Sequence, residues 1–412
     1  MSSSDYAASG SARFVATQLP SGARLALRLL GELEGGAISL ELPGGERRTL
    51  GSGHCVANWR VYELAVFDRV LTHGDIGLGE SFMDGQWDSD DPAALLTLLA
   101  ANRRVLTRAI YGNAWQMLGH RLYHLSRRNT RTGARRNIEA HYDLGNDFYR
   151  LWLDETMTYS SALFASADEP LAEAQRRKYR RILDQLDARP GQTVLEIGCG
   201  WGGFAEVAAR EYGCKVLGVT LSASQLAFAR QRSRDGGYAD RVDFELCDYR
   251  DVRGSYDHIV SIEMLEAVGE RFWKGYFGQL AERLKPGGRA VVQVISIDEK
   301  LFPRYRRGTD FIQRYIFPGG MLPSPERIRG LAEGAALAVK DDFAFGLDYA
   351  RTLVRWHERF VECRESVRAA GFDERFVRMW RFYLAYCEAG FRVGDVDVRH
   401  FTFAHRGRDG CP

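Results

Sequence analysis

The stretch from Thr193 to Phe204, TVLEIGCGWGGF, constrains the fold more than any other part of the chain. Its first half is aliphatic and β-branched without a turn signal, and its second half sets Gly198, Gly200, Gly202 and Gly203 within six positions. A buried strand breaking into a tight loop is the expected local structure. An Ala-rich helical pattern follows from Phe204, so the loop feeds a helix N-terminus, where glycines leave the backbone open to a ligand. A glycine loop alone does not identify that ligand, because strained turns share it.

The downstream pattern narrows the choice. Strands are expected at 193–198, 215–220, 242–247, 256–262 and 289–297, with helices at 170–186, 204–212, 223–234 and 272–284. This alternation predicts an α/β domain with a doubly wound, Rossmann-like parallel sheet that binds its ligand beyond the strand carboxyl ends, at the switch point. The second strand ends in Thr220 and not in an acid, which counts against a nicotinamide dinucleotide; the loop also lacks the Lys-Ser/Thr of a nucleoside triphosphate loop. Thr220, Ser222 and Gln225 are suited to a ribose, and Asp248 and Tyr249 after the third strand offer an acid and an aromatic face to an adenine.

At 412 residues the chain exceeds one ordinary core, and 45% hydrophobic with 27% charged residues is a soluble globular composition. No apolar run reaches membrane-spanning length, and MSSSDYAASGSAR lacks the apolar core of a signal peptide, so a cytoplasmic location is expected. The seven cysteines lie far apart with no metal spacing and read as reduced thiols; no metal is expected.

The net charge of +2 is unevenly distributed: nine arginines and no Asp or Glu lie between Pro92 and Ile138, interleaved with Tyr111, Trp115, Leu122 and Tyr123. The stretch FPRYRRGTDFIQRYIF, from Phe302 to Phe317, has the same character. Such patches are solvated helix faces or meet an anionic surface, a membrane or a nucleic acid; two in one chain favour a lipid surface over coincidence, and no nucleic acid partner is expected.

Residues 1–12 read as disordered, and the segment from Ala23 reads as short antiparallel strands around a Pro-Gly-Gly turn. A helix, a glycine-punctuated turn and a second helix follow, and Asp91 and Pro92 open another as N-cap and first helical residue. The expected division is a small α+β lipid-interaction domain at 1–105, a basic linker at 106–136 and a catalytic domain at 137–412.

GLGESFMDGQW, HYDLGNDFYRLWLD, MTYSSALF, VLEIGCGWGGFA, GVTLSASQ, SIEMLEAVG, LKPGG, YIFPGGMLPS and YCEAGFR, in this order along the chain, resemble the cyclopropane-fatty-acid synthase family of S-adenosylmethionine (SAM) methyltransferases. The resemblance extends from about Asp68 to His405. It implies a class I methyltransferase fold and a SAM site formed by Gly198, Gly200, Gly202 and Gly203. Thr220 and Gln225 then fall on the ribose, Tyr249 near the adenine, and Tyr159 and Ser160 at the methionine end. Substrates of the family are unsaturated acyl chains of membrane phospholipids. A homodimer resting peripherally on the inner membrane face is expected.

An alkene is a weak nucleophile and a sulfonium methyl a strong electrophile, so the reaction asks for a dry aromatic tunnel and one base. Loss of a proton from the incoming methyl closes a cyclopropane, the family default. Loss from a neighbouring chain carbon gives a methyl- or methylene-branched product. A small-molecule N-methyltransferase is a further alternative. The resemblance implies a bicarbonate ion as base, ringed by Cys, Glu, His and Tyr; here the Glu is Glu266 and the Tyr is Tyr349, while Ser161 and Gln293 stand in the Cys and His positions. Ser and Gln still hydrogen-bond an anion. Two further carboxylates, Glu155 and Glu263, lie close in sequence, and one of them, its pKa raised by burial, is expected to replace the ion, Glu155 being the first choice.

Overall fold

Ala23, Leu27 and Leu30 recur at helical spacing, and in a computed structural model, which describes residues 19–110 and 144–406, Ser21–Gly31 forms helix α1. This corrects the strand expected from Ala23: the three buried side chains share one face, with Arg24 and Arg28 exposed. The expectations for residues 1–12, for Tyr142 and for most of the basic linker fall outside the described residues.

Strands β1 (Gly36–Glu41) and β2 (Arg47–Ser52) pair antiparallel across the Pro-Gly-Gly turn. β3 (Cys55–Val61) pairs with β1 in parallel, and the short β4 (Trp87–Asp88) completes a four-stranded sheet in the order β2-β1-β3-β4. Helix α2 (Ala65–Met83) is broken at Gly74, whose φ of 61° and ψ of −133° no ordinary residue adopts cheaply. Asp91 caps α3 (Pro92–Ala101), accepting a hydrogen bond from Ala94 N–H, and α4 (Arg103–Ile110) starts the basic segment.

The second unit opens with α5 (Gly145–Trp152) and α6 (Leu171–Leu186). Strands β5 (Thr193–Ile197), β6 (Lys215–Thr220), β7 (Val242–Leu246), β8 (Tyr256–Ile262) and β9 (Leu284–Ile297) are parallel, with α7 (Gly203–Arg210) and α8 (Ala223–Asp235) as crossovers. Two strands absent from the sequence reading, β10 (Leu337–Ala344) and β11 (Val396–His405), extend the sheet to seven in the order β10-β11-β9-β8-β5-β6-β7. β11 runs antiparallel to both neighbours, so the sheet is mixed. Order reverses at β5, which lies between β6 and β8, and the glycine loop leaves the sheet there.

Helices α9 (Gly346–Glu362) and α10 (Glu374–Arg392) join the two units. Arg378 on α10 reaches into the N-terminal unit, donating to the carbonyls of Phe82 and Trp87 and to Asp88. Phe82 packs on Trp87 at 4.7 Å and on Phe382 at 5.8 Å, and Gly79 leaves room for the rings of Phe311 and Phe382. Each such buried ring stabilises by about 1.5–3 kcal/mol, so this seam fastens the units firmly.

Candidate active site

The glycine loop has left-handed backbone at Gly198 (φ 84°), Gly200 (φ 51°) and Gly202 (φ 81°). Val219 O, on β6, holds it by accepting from the N–H groups of Gly198 (2.9 Å) and Cys199 (3.0 Å). A Cβ on Gly200 would meet nothing within 4 Å, so the loop faces open space; one on Gly203 would come 2.9 Å from Tyr179 Oη. Trp201 Nε1 donates to Asn146 at 2.8 Å, and Asn146 donates to Ser224 O, tying α5 to the loop and to α8. Thr220 donates to Gln225 Oε1 at 3.1 Å beyond β6, both side chains being buried, and Ser222 caps α8. Asp248 is paired with Arg250, and the half-buried ring of Tyr249 packs edge-on against Tyr276 at 5.6 Å. These groups fit a nucleoside laid across the carboxyl ends of β5, β6 and β7.

A second cluster lies beyond β8. Glu263, in left-handed backbone at φ 50°, accepts from Ser161 N–H at 2.8 Å and Gln293 Nε2 at 2.7 Å on one oxygen, and from Tyr349 Oη at 2.6 Å on the other. Ser161 meets Glu263 through its backbone N–H, and its hydroxyl donates to Ala162 O at 3.0 Å. Burial pushes the Glu263 carboxyl up, and the three donors and the nearby Lys178 pull it back. Glu266 accepts from Ile295 N–H on one oxygen, while its buried Oε2 has no protein partner; burial, then the charge of Glu263, raise it to about 8. Near neutrality Glu266 therefore holds its proton beside the hydrogen-bonded side chain of Glu263.

Glu155 is elsewhere. Its carboxylate is 69% exposed and pairs with Arg176 at 2.7 Å, so the expected buried base is not at this position. The chain turns away at Met157 (φ 52°), and it is the left-handed turn at Glu263 that aims a carboxylate inward.

Two residues of the cluster were missed in the sequence. His400 on β11 is buried and its Nε2 lies 2.8 Å from Gln293 Oε1, so an imidazole stands behind the glutamine that occupies the histidine position. Its inward register between buried Val398 and Thr402 was the available signal. Lys178 is fully buried and donates to Ser160 Oγ at 2.7 Å; burial lowers its pKa to about 7. It lies on the apolar stripe of α6 between Ala174 and Ile182, at four-residue spacing.

Glu263, Glu266, Tyr159, Tyr349 and Tyr383 line one cavity of about 740 Å³ whose remaining wall is mostly apolar. Tyr159 Oη bonds Tyr383 Oη at 2.7 Å, and its ring packs on Trp356 at 5.3 Å. The basic-aromatic stretch from Phe302 folds along this cavity, with Tyr305, Ile312 and Phe317 facing in. Among the described residues no helix is long and apolar enough to cross a membrane.

A glycine loop at the switch point of this sheet, beside a carboxylate-bearing apolar cavity, defines a class I SAM-dependent methyltransferase. The chain belongs to the mycolic acid cyclopropane synthetase family, whose model matches residues 129–401. It is 42% identical over 353 residues to tuberculostearic acid methyltransferase of Mycobacterium tuberculosis, covering 83% of this chain and 82% of that protein. With cyclopropane-fatty-acyl-phospholipid synthase of Escherichia coli it shares 36% over 363 residues, 87% of this chain and 91% of the other. The structure of a cyclopropane synthase from Mycobacterium tuberculosis matches with a TM-score of 0.62 at 33% identity, covering 66% of this chain and 98% of that one. A mycolic acid cyclopropane synthase solved with SAH and CTAB matches with a TM-score of 0.62 at 31% identity, covering 65% and 97%.

Proposed function

We propose that this protein methylates the double bond of an unsaturated phospholipid acyl chain with Glu263 as the base, releasing a methylene- or methyl-branched chain. One observation carries the reading. Glu263 occupies the centre of the ring that Ser161, Gln293 and Tyr349 form, where the family resemblance implies a bicarbonate ion. A protein carboxylate in that place makes the ion unnecessary.

When bound, SAM supplies an electrophilic methyl on its sulfonium. In this reading the glycine loop, Thr220, Gln225 and Tyr249 hold the nucleoside, and Tyr159 and Ser160 hold the methionine end. One alkene carbon would bond the methyl as the methyl–sulfur bond broke to leave SAH, and positive charge would be left on the other carbon. Tyr159, Tyr349 and Tyr383 line the cavity, and aromatic rings that turn a face to such a cation stabilise it by roughly 1–2 kcal/mol in a dry site. Glu263 then takes one proton, so the chain gains one CH2 in all. After a hydrogen shift between neighbouring chain carbons puts the charge on the methyl-bearing carbon, loss of a proton from the methyl leaves a methylene branch and loss from an adjoining chain carbon leaves a methyl-branched alkene; loss of a methyl proton without the shift closes a ring.

The likeness to a tuberculostearic acid methyltransferase supports the branched outcome. The retained Glu266 and Tyr349, and the likeness to the Escherichia coli synthase, support the ring as the second reading. Mass spectrometry of lipids after reaction with SAM and vesicles of monounsaturated phosphatidylglycerol separates the readings. A gain of one CH2 with olefinic reactivity retained is expected; loss of that reactivity means cyclopropane, and an unchanged lipid refutes both.

A further inference from the structure

The cavity does not end at the catalytic sheet. Leu30 of α1, Trp59 of β3, and Leu96 and Leu99 of α3 wall it as fully as Glu263 and Tyr349 do. All of these N-terminal residues precede residue 129, where the family match begins. The break of α2 at Gly74 lies on the same wall, and Arg103 of α4 pairs with Asp395 across it, so residues of both units enclose one continuous space.

We propose that the N-terminal unit holds the far, methyl-terminated end of the reacting acyl chain and thereby sets which chain lengths and double-bond positions react. The inference rests on the acyl-chain reading above and specifies what the N-terminal unit adds to it. Polarity fixes the direction of the chain. Arg304 and Arg307 are exposed cationic members of the cavity wall, with the exposed His73 also on it, and are suited to the phosphate end of a lipid. Leu30, Trp59 and Leu96 of the same wall are each under a tenth exposed, and a glycerol phosphate placed among them would lose its hydration with only the unpartnered indole N–H of Trp59 to meet it. A hydrocarbon tail has no such cost. With the double bond held at Glu263, the distance to these leucines limits the number of carbons beyond it, as any closed apolar pocket limits methylenes.

Two readouts test this. First, phosphatidylglycerol with a saturated chain brominated near its terminus is added to wild type and to Trp59→Phe; the bromine should quench emission that is present only in the wild type, and bromine near the carboxyl should not. This readout needs no turnover. Quenching by the carboxyl-proximal label alone, or by neither label, overturns the proposal. Second, hexadecenoyl and octadecenoyl lipids that share the double-bond position from the carboxyl are compared in Ala100→Phe and Leu99→Ala, both residues lining the cavity. Ala100→Phe should lower the octadecenoyl-to-hexadecenoyl turnover ratio about tenfold, and Leu99→Ala should raise it, with SAM affinity by calorimetry unchanged in both. Equal ratios in wild type and both variants overturn the proposal, as does a change confined to the preference for diacyl over monoacyl lipids, which places a second chain at this wall. Far-end quenching of Trp59 in a protein that methylates neither lipid supports the placement of the chain end, overturns the selection of reacting chains and refutes the proposed reaction.

Discussion

Replacing Glu263 with Gln tests the chemistry with little change of shape. The amide keeps an acceptor for Ser161 N–H and Gln293, and its NH2 can donate to Tyr349 Oη once the phenol turns. Three charge-assisted bonds at 2.8, 2.7 and 2.6 Å become neutral ones, a loss of about 1 kcal/mol each. Removing a buried charge offsets much of that loss, so stability should change by less than about 2 kcal/mol. Turnover loses its base, and general-base catalysis contributes about 10²–10⁴-fold, or roughly 3–5 kcal/mol on the barrier. The assay is SAH formation on monounsaturated vesicles, with and without added bicarbonate, alongside urea unfolding. Glu263→Gly sharpens it: glycine suits the φ of 50°, relieving about 1 kcal/mol of backbone strain, and vacates the anion position. Bicarbonate should restore part of the turnover of Glu263→Gly and none of Glu263→Gln. Turnover of Glu263→Gln within twofold of wild type, or a wild type that depends on bicarbonate, would refute the reasoning.

Other expectations follow from the same geometry. Because Glu266 titrates at about 8 in the fold and near 4.5 when unfolded, the folded state carries a proton the unfolded chain has shed between those values. Stability therefore falls as pH rises through that window, by up to about 1.4 kcal/mol per pH unit, and Glu266→Gln should remove this part of the slope in urea titrations at pH 6 and pH 8; equal slopes would show that Glu266 is ionised throughout. Gly203→Ala puts a methyl 2.9 Å from Tyr179 Oη at the start of α7, and should cost about 1–3 kcal/mol in stability and weaken SAM binding in calorimetry. Arg378→Ala leaves Asp88 and two carbonyls without their cation and should lower unfolding free energy by about 3 kcal/mol, with a separate early transition for the N-terminal unit; an unchanged single transition would show that the aromatic seam suffices.

The strand, glycine loop and helix around Gly198, and the Asp91 cap, were legible because each is encoded within a dozen neighbouring residues. The α1 segment was misread because its apolar residues satisfy both a two-residue and a helical period, and packing under the sheet decides between them. In the site, Glu266, Tyr349, Ser161 and Gln293 were found by motif, but the choice of Glu155 over Glu263 followed closeness along the chain. Direction is set by a single backbone angle at Glu263, which no periodicity reports. His400 faces Gln293 across the β9–β11 register, from 107 positions away, and that pairing exists only in three dimensions.

Helix α10 carries Tyr386, bonded to Asp75 of the N-terminal unit at 2.9 Å, and Tyr383, bonded to Tyr159 in the cavity that Glu263 and Glu266 line. The two tyrosines stand one turn apart on a single rigid rod. Any tilt of the N-terminal unit about Asp75 is therefore passed through one helical turn to Tyr159, so the two hydrogen bonds couple the position of that unit to the wall of the cavity.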